Sequence, residues 1–301
     1  MKPDLKPLSE QVMVVFGASS GIGRVTALEA SRRGARVVAA ARGSEALQTL
    51  ADEAGAPDRF TTMVADAAEA DQVRAVADRA VDRFGRLDTW AHVAGVTEHA
   101  RFEDMPLEDF RRVIDVDLLG PVHAAKAALP HLRRAGGGAF VVVSSMIAKR
   151  SFPLLSSYSA AKHGVNGFLE SLRVELRHDG VPVAVTEIQP AVIDTPFFEH
   201  ARTRLGVRPS APPPVYPPEK GAEAILRAAE NPKREVVVGG AGKVQLLTQR
   251  LSPRIMDAFS RVAMFRLQRS RDPKRPDDTD GLYRPVEGDD RRRGVVSNLR
   301  R

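Results

Sequence analysis

Tyr158 and Lys162 stand four residues apart in Tyr-Ser-Ala-Ala-Lys, at the start of an apolar segment with helical spacing. On a helix that spacing puts the phenol and the ammonium on one face, one turn apart. A phenol is a poor acid at neutral pH, with an ordinary pKa of about 10. A neighbouring ammonium favours the phenolate and brings the group toward the range where proton transfer is useful. Far upstream, directly after the first strand-like run, comes Gly17-Ala18-Ser19-Ser20-Gly21-Ile22-Gly23. Glycines are required where a strand turns tightly into a helix and a pyrophosphate approaches the backbone. The helix that starts there offers N–H donors and the positive end of its dipole. A cofactor cradle followed by a tuned acid/base points to hydride transfer.

Those groups need a scaffold that brings strand ends and helix starts together. Apolar runs predict strands at 12–16, 35–41, 60–65, 87–93, 140–144, 183–189 and 235–238. Between them, amphipathic spacing predicts helices at 22–33, 44–54, 71–84, 107–134, 158–177 and 219–230, the fourth bent at Gly120-Pro121. Strands apolar throughout that alternate with such helices imply a parallel sheet covered on both faces. The expected fold class is α/β, a doubly wound (Rossmann-type) parallel sheet of about seven strands with helices on both faces. Residues 1–240 are read as a dinucleotide-binding catalytic domain. Residues 241–301 are read as a helical extension and polar tail that is not an independent domain. The Pro- and Arg-rich stretch 202–218 reads as an extended loop. Helices are expected near 243–251 and 253–268, and from Arg269 a polar tail that is mobile or draped over the surface.

The glycine spacing differs from the common Gly-x-Gly-x-x-Gly and resembles the Gly-x-x-x-Gly-x-Gly of the short-chain dehydrogenase/reductase family. The second strand ends in Ala41-Arg42. A carboxylate there would hold a free ribose 2′-hydroxyl, whereas an Arg suits a 2′-phosphate. The chain is therefore expected to take NADP(H). Asp66, closing the third strand, is a candidate acceptor for the adenine amino group, with a plain strand-end cap as the other reading. The resemblance covers about Gln11 to Val238 and supplies further roles. It implies that Ser145 hydrogen-bonds the substrate oxygen, that Tyr158 moves the proton, and that Lys162 holds the nicotinamide ribose and tunes Tyr158. Ser19, Ser20, Ile22, Ala94, Gly95, Pro190, Ile193 and Thr195 join the cofactor set, with Thr195 at the carboxamide. Three positions depart from the family's pattern. His92-Val93-Ala94-Gly95 stands for Asn-Asn-Ala-Gly, Ala191 stands for a Gly, and Asp117 aligns with the family's fourth catalytic residue, an Asn. An ionised Asp117 favours charged Lys162 and is expected to slow proton delivery.

Composition narrows the alternatives. The chain has no Cys, so disulfides, thiolate nucleophiles and Cys-based zinc sites are excluded. Its seven His residues show no ligand spacing, and no metal is expected in the chemistry. The net charge of +7 lacks the aromatic–basic interleaving of a nucleic-acid binder. With no signal-peptide core and no apolar run long enough to span a bilayer, a cytoplasmic location is expected. The expected substrate is an apolar ketone or alcohol in a cleft walled by Val96, Met146, Ile147, Phe197, Phe198 and the Pro-rich loop. The resemblance implies a homodimer or homotetramer packed through the long helices around Leu118 and Phe168. Gly17-x-Ser19-x-Gly21 also matches a serine-hydrolase nucleophile elbow, and the three departures fit a non-turning NADP-binding sensor or scaffold. The apolar series from Val244 to Leu267, interrupted by Arg250, Arg254, Arg261 and Arg266, suits either a membrane surface or packing on the parent domain, cleft or partner.

Overall fold

The computed structural model describes residues 3–240, 257, 260–274 and 278–294. Strand β1 (Val12–Phe16) leads through the glycine turn into helix α1 (Gly21–Arg32). Then come β2 (Arg36–Ala41), α2 (Ser44–Ala54), β3 (Phe60–Val64), α3 (Ala70–Phe84), β4 (Thr89–His92) and a short β5 (Glu98–His99). Helix α4 (Leu107–Ile114) passes through a π-turn, Asp115–Leu119, into α5 (Gly120–Arg134). Next are β6 (Gly138–Val143), α6 (Ser156–His178), β7 (Val183–Pro190), the short β8 (Arg202–Thr203) and β9 (Val207–Pro209), α7 (Pro218–Glu230), β10 (Glu235–Val238) and β11 (Arg269–Pro273).

Seven strands form one parallel sheet in the order β10-β7-β6-β4-β1-β2-β3. Every residue of β1 is buried, and alternate side chains serve opposite faces. Val12, Val14 and Phe16 join the core under α3, α5 and α6, while Met13 and Val15 join the core under α1, α2 and α7. The chain leaves β1 toward β2 on one side and later returns through β4 on the other. Ligands of such sheets bind at that switch point, beyond the carboxyl ends of the strands.

The long helix expected at 107–134 is interrupted over Asp115–Leu119, the five residues just before the expected bend at Gly120-Pro121. Pro121 has no N–H to reach the carbonyl of Asp117 one turn back, and the backbone widens into the π-turn, with the Gly120 amide donating to the Asp115 carbonyl. The stretch 202–218 is not wholly extended loop, since β8 pairs with β5 and β9 with β11. The helix expected at 243–251 lies outside the described residues. Of that expected at 253–268, the described part is a π-turn at Ser260–Met264 followed by Phe265–Leu267. The tail after Arg269 departs most from expectation. It forms β11 and then returns to the sheet's carboxyl edge, where Leu282 is fully buried in the α3/α5/α6 core. One apolar side chain and a row of Arg and Asp partners suffice to dock a polar segment that carries no periodic signal.

Candidate active site

The ends of β1, β2, β4, β6 and β7 open onto one cavity of about 620 Å³. At one end is the glycine turn. Gly17 has φ +97°, and a Cβ there would lie 2.7 Å from the Ala94 Cα, so the turn packs directly on the loop after β4. A Cβ on Gly23 would overlap the Gly17 carbonyl, which lets α1 start hard against the turn. The Thr195 side chain would stand 3.0 Å from a Cβ on Gly21 and faces the first residue of α1. This cradle, closed to any Cβ and headed by a helix N-terminus, fits a dinucleotide's pyrophosphate. Gly23→Ala is expected to cost about 1–3 kcal/mol through overpacking and to weaken nucleotide binding about tenfold or more. Thermal unfolding and nucleotide titration measure the two effects.

Ser19, Ser20, Ile22, Arg42, Asp66, Ala94, Gly95, Ser145, Tyr158, Lys162, Pro190, Ile193 and Thr195 all line this cavity with the three glycines. Arg42 lies where β2 ends, and two of its N–H groups donate to the Gly281 and Leu282 carbonyls (2.5 and 3.2 Å). Asp66 Oδ1 accepts from the Ala68 amide (3.0 Å) and Oδ2 from Arg112 (2.5 Å), the local cap that the sequence also allowed.

The catalytic candidates meet at the cavity floor. Ser145 follows the end of β6, and its Oγ accepts from the Ile147 amide (3.1 Å), which fixes its direction. Tyr158 and Lys162 lie in the first turns of α6, 8% and 3% exposed, with the Lys162 Nζ 5.3 Å from the Tyr158 ring centre. Asp117 does not line the cavity. It sits fully buried in the π-turn behind Lys162, with Oδ2 3.1 Å from Nζ and Oδ1 accepting from the Val96 amide (2.8 Å). Burial lifts the Tyr158 phenol above its ordinary value; Lys162 pulls it down, Asp117 lifts it, and a hydrogen bond from Ser145 pulls it down. The lysine effect expected from sequence is present, and burial outweighs it. Burial also works against the Lys162 charge, but Asp117, Tyr158 and Glu187 hold the ammonium above its usual range. Burial pushes the Asp117 carboxyl up while Lys162 and the Val96 amide favour its carboxylate. Burial is the largest influence and leaves the carboxyl above its usual range; the 3.1 Å contact to the Lys162 ammonium and the bond from the Val96 amide are what favour the carboxylate.

The three departures resolve individually. Among the described residues only Leu154 is a non-Gly residue with positive φ, so Ala191 carries its Cβ on ordinary backbone. His92 is stacked on Phe16 (ring centres 5.4 Å apart) and held neutral, its pKa pushed down to about 3 by burial and then by Lys162 and His123. Asp117 pairs with Lys162, whose Nζ lies 5.3 Å from the Tyr158 ring centre. Among the described residues no hydrogen bond joins Ser19 to a histidine, although His99 and His200 line the same cavity.

The expected apolar wall of Val96, Met146, Ile147, Phe197, Phe198 and Pro212-Pro213-Pro214 lines the cavity, and the Phe197 ring centre is 5.7 Å from that of Tyr158. Sequence reasoning missed His99, Phe152, Leu155 and the tail residues Gly281, Pro285, Val286 and Asp289, which line it too, whereas Met264 and Leu267 line it as one reading of the series Val244 to Leu267 expected. Phe152 and Leu155 stand close to Tyr158 in sequence and were within reach of that reading. The tail carried no signal. No helix among the described residues is long and apolar enough to cross a membrane.

Comparison with known proteins agrees with this geometry. The model of the short chain dehydrogenase family matches residues 11–206. An uncharacterized oxidoreductase of Bacillus subtilis, YxnA, is 40% identical over 94% of this chain and 80% of its own length. Cis-4-hydroxycyclohexanecarboxylate dehydrogenase of Sinomonas cyclohexanicum is 36% identical over 76% of this chain and 93% of its own. 11-beta-hydroxysteroid dehydrogenase A of Sesamum indicum is 31% identical over 84% and 75%. The crystal structure of a short-chain dehydrogenase from Streptomyces avermitilis superposes with a TM-score of 0.70 at 28% identity, covering 84% of this chain and 97% of that one.

Proposed function

This chain belongs to the short-chain dehydrogenase family, and we propose that it interconverts a carbonyl and a secondary alcohol on an apolar small molecule, using NADP(H). The convergence of Ser145, Tyr158 and Lys162 on one cavity whose far end is the glycine cradle carries this reading. The nicotinamide, when bound, supplies or accepts the hydride. Ser145 holds the substrate oxygen beside Tyr158. In reduction Tyr158 donates its phenolic proton to the oxygen as negative charge develops there; in oxidation its phenolate takes that proton. Lys162 stabilises the phenolate and is itself held by Asp117. Phe152, Leu155, Phe197 and Phe198 exclude water from the reacting atoms.

Two relatives are named for a hydroxysteroid and a hydroxycyclohexanecarboxylate. With the apolar wall around Tyr158, those names favour a ring-borne secondary alcohol or ketone as the substrate class. Arg42 supports NADP(H) over NAD(H). Hydrogen bonds to a charged group contribute about 1.5–3 kcal/mol, so Arg42→Ala is expected to weaken NADPH binding about 10- to 100-fold and to erase the preference over NADH. Fluorescence titration with both nucleotides measures this. An unchanged NADPH/NADH ratio would remove Arg42 as the phosphate reader, and no binding of either nucleotide would end the oxidoreductase reading. The ordinary backbone at Ala191 favours turnover over a non-turning NADP-binding sensor.

A further inference from the structure

Residues 278–294 cross the mouth of the cavity at its adenosine end. The crossing begins at Leu282, fully buried in the core. The Leu282 carbonyl accepts from both Arg42 (3.2 Å) and Arg112 (3.1 Å). Tyr283 donates to the buried Asp109 (2.9 Å), and the guanidinium groups of Arg112 and Arg202 lie over its ring. Pro285 then packs beside Gly43, the residue after Arg42, and Pro285, Val286 and Asp289 face the cavity. The far side is clamped by charge. Asp289 bonds His200 (2.8 Å), Arg291 bonds Glu199 (2.6 Å), and Arg292 pairs with Glu53. The Arg291 carbonyl accepts from the Gly21 amide (3.0 Å), the first residue of α1.

We infer that Gly281–Arg291 is a strap that completes the cofactor site, with Pro285 and Val286 forming the outer wall of the adenosine subsite, so that the dinucleotide enters and leaves only when the strap lifts. This rests on the dinucleotide reading above. Three observations carry it. The cavity persists beneath the closed strap, lined by the glycine turn on one side and by Pro285, Val286 and Asp289 on the other. The strap is pinned at both ends of the region it crosses, by core burial at Leu282 and by the Gly21 amide at Arg291. It also holds the same Arg42 that is assigned to the 2′-phosphate, using main-chain carbonyls that leave donors over.

The strap's charged clamp is partly exposed, so it can release without disturbing the Leu282 anchor: Arg291 is 44% exposed and His200 24%. The test is the rate at which bound NADPH is displaced by excess NADP+, followed by stopped-flow fluorescence on the full chain and on an Asp289→Ala/Arg291→Ala variant. A second variant ends the chain after Asp277. Removing a cover raises koff more than kon, and the expected result is a release rate about tenfold or more faster in both variants, with weaker affinity. Tryptic cleavage after Arg291 in the wild type, where the side chain is 44% exposed and followed by Arg292, is expected to slow when NADPH is added, a readout independent of turnover and of the truncated chain's stability. Nucleotide binding with unchanged release, or tighter binding in the variants, overturns the strap and leaves the oxidoreductase reading standing. Binding of neither nucleotide by the wild type overturns both.

Discussion

Tyr158→Phe is expected to lower kcat by about 10²–10⁴-fold, the usual contribution of a positioned acid/base, while nucleotide affinity changes little. The substitution removes one oxygen and keeps the ring. That ring is 8% exposed and packs on Phe197, so the cavity wall and the fold are retained. The oxygen is where Ser145 and Lys162 act, the one by a hydrogen bond and the other by its charge, and both pull the phenol down against burial. Steady-state kinetics on a ring ketone, beside NADPH titration, separate the two quantities. Turnover within tenfold of wild type would remove Tyr158 from the proton step. The direction of the pH dependence is also set. Burial holds the phenol protonated through neutrality, so reduction, which needs the proton, is expected to hold through neutral pH and fall in alkali. Oxidation, which needs the phenolate, is expected to rise with pH.

Lys162→Met is expected to damage stability as well as rate. Its ammonium is 3% exposed and its partner Asp117 is fully buried. Removing one member of a buried pair strands the other charge, at a cost of about 3–5 kcal/mol. Asp117 keeps its bond from the Val96 amide, which is too little to compensate a bare carboxylate. The double variant with Asp117→Asn is therefore expected to recover most of the lost stability in denaturant unfolding and none of the lost turnover. Equal stability losses in the single and double variants would mean that the pair is not coupled. Asp117→Asn alone acts on the rate in the other direction. The carboxylate lifts the phenol and binds the ammonium; a neutral amide retains the acceptor for Val96 and frees Lys162 to act on Tyr158. A several-fold rise in kcat is expected, and an unchanged rate would count against the brake.

The groups that could be read in advance are those whose geometry is local. Tyr158 and Lys162 face one way because a helix repeats within four residues. Gly17, Gly21 and Gly23 form a turn because one contiguous stretch must bend where no Cβ fits. The apolar runs became strands because a sheet covered on both faces buries every side chain, as β1 and β6 do. The break around Asp117 was also within reach, since Pro121 lies one turn beyond it, though Gly120-Pro121 placed the expected bend just after the π-turn.

What tertiary structure alone decided depends on contacts that no window of sequence contains. Asp117 meets Lys162 only because the π-turn and α6 pack together behind the cavity. Arg42 reads in sequence as a phosphate reader after a strand, and its hydrogen bonds to the Gly281 and Leu282 carbonyls form only because a segment 240 residues away returns to it. That segment has no apolar period and the composition of a surface tail. Its docking is the sum of one buried leucine and several ion pairs with scattered partners, and such pairings leave no local trace. Sequence alone therefore determined the family and the sheet and placed the candidate acid/base, whose causes are short-range, whereas the docking of the C-terminal segment across the cavity mouth was set by long-range packing.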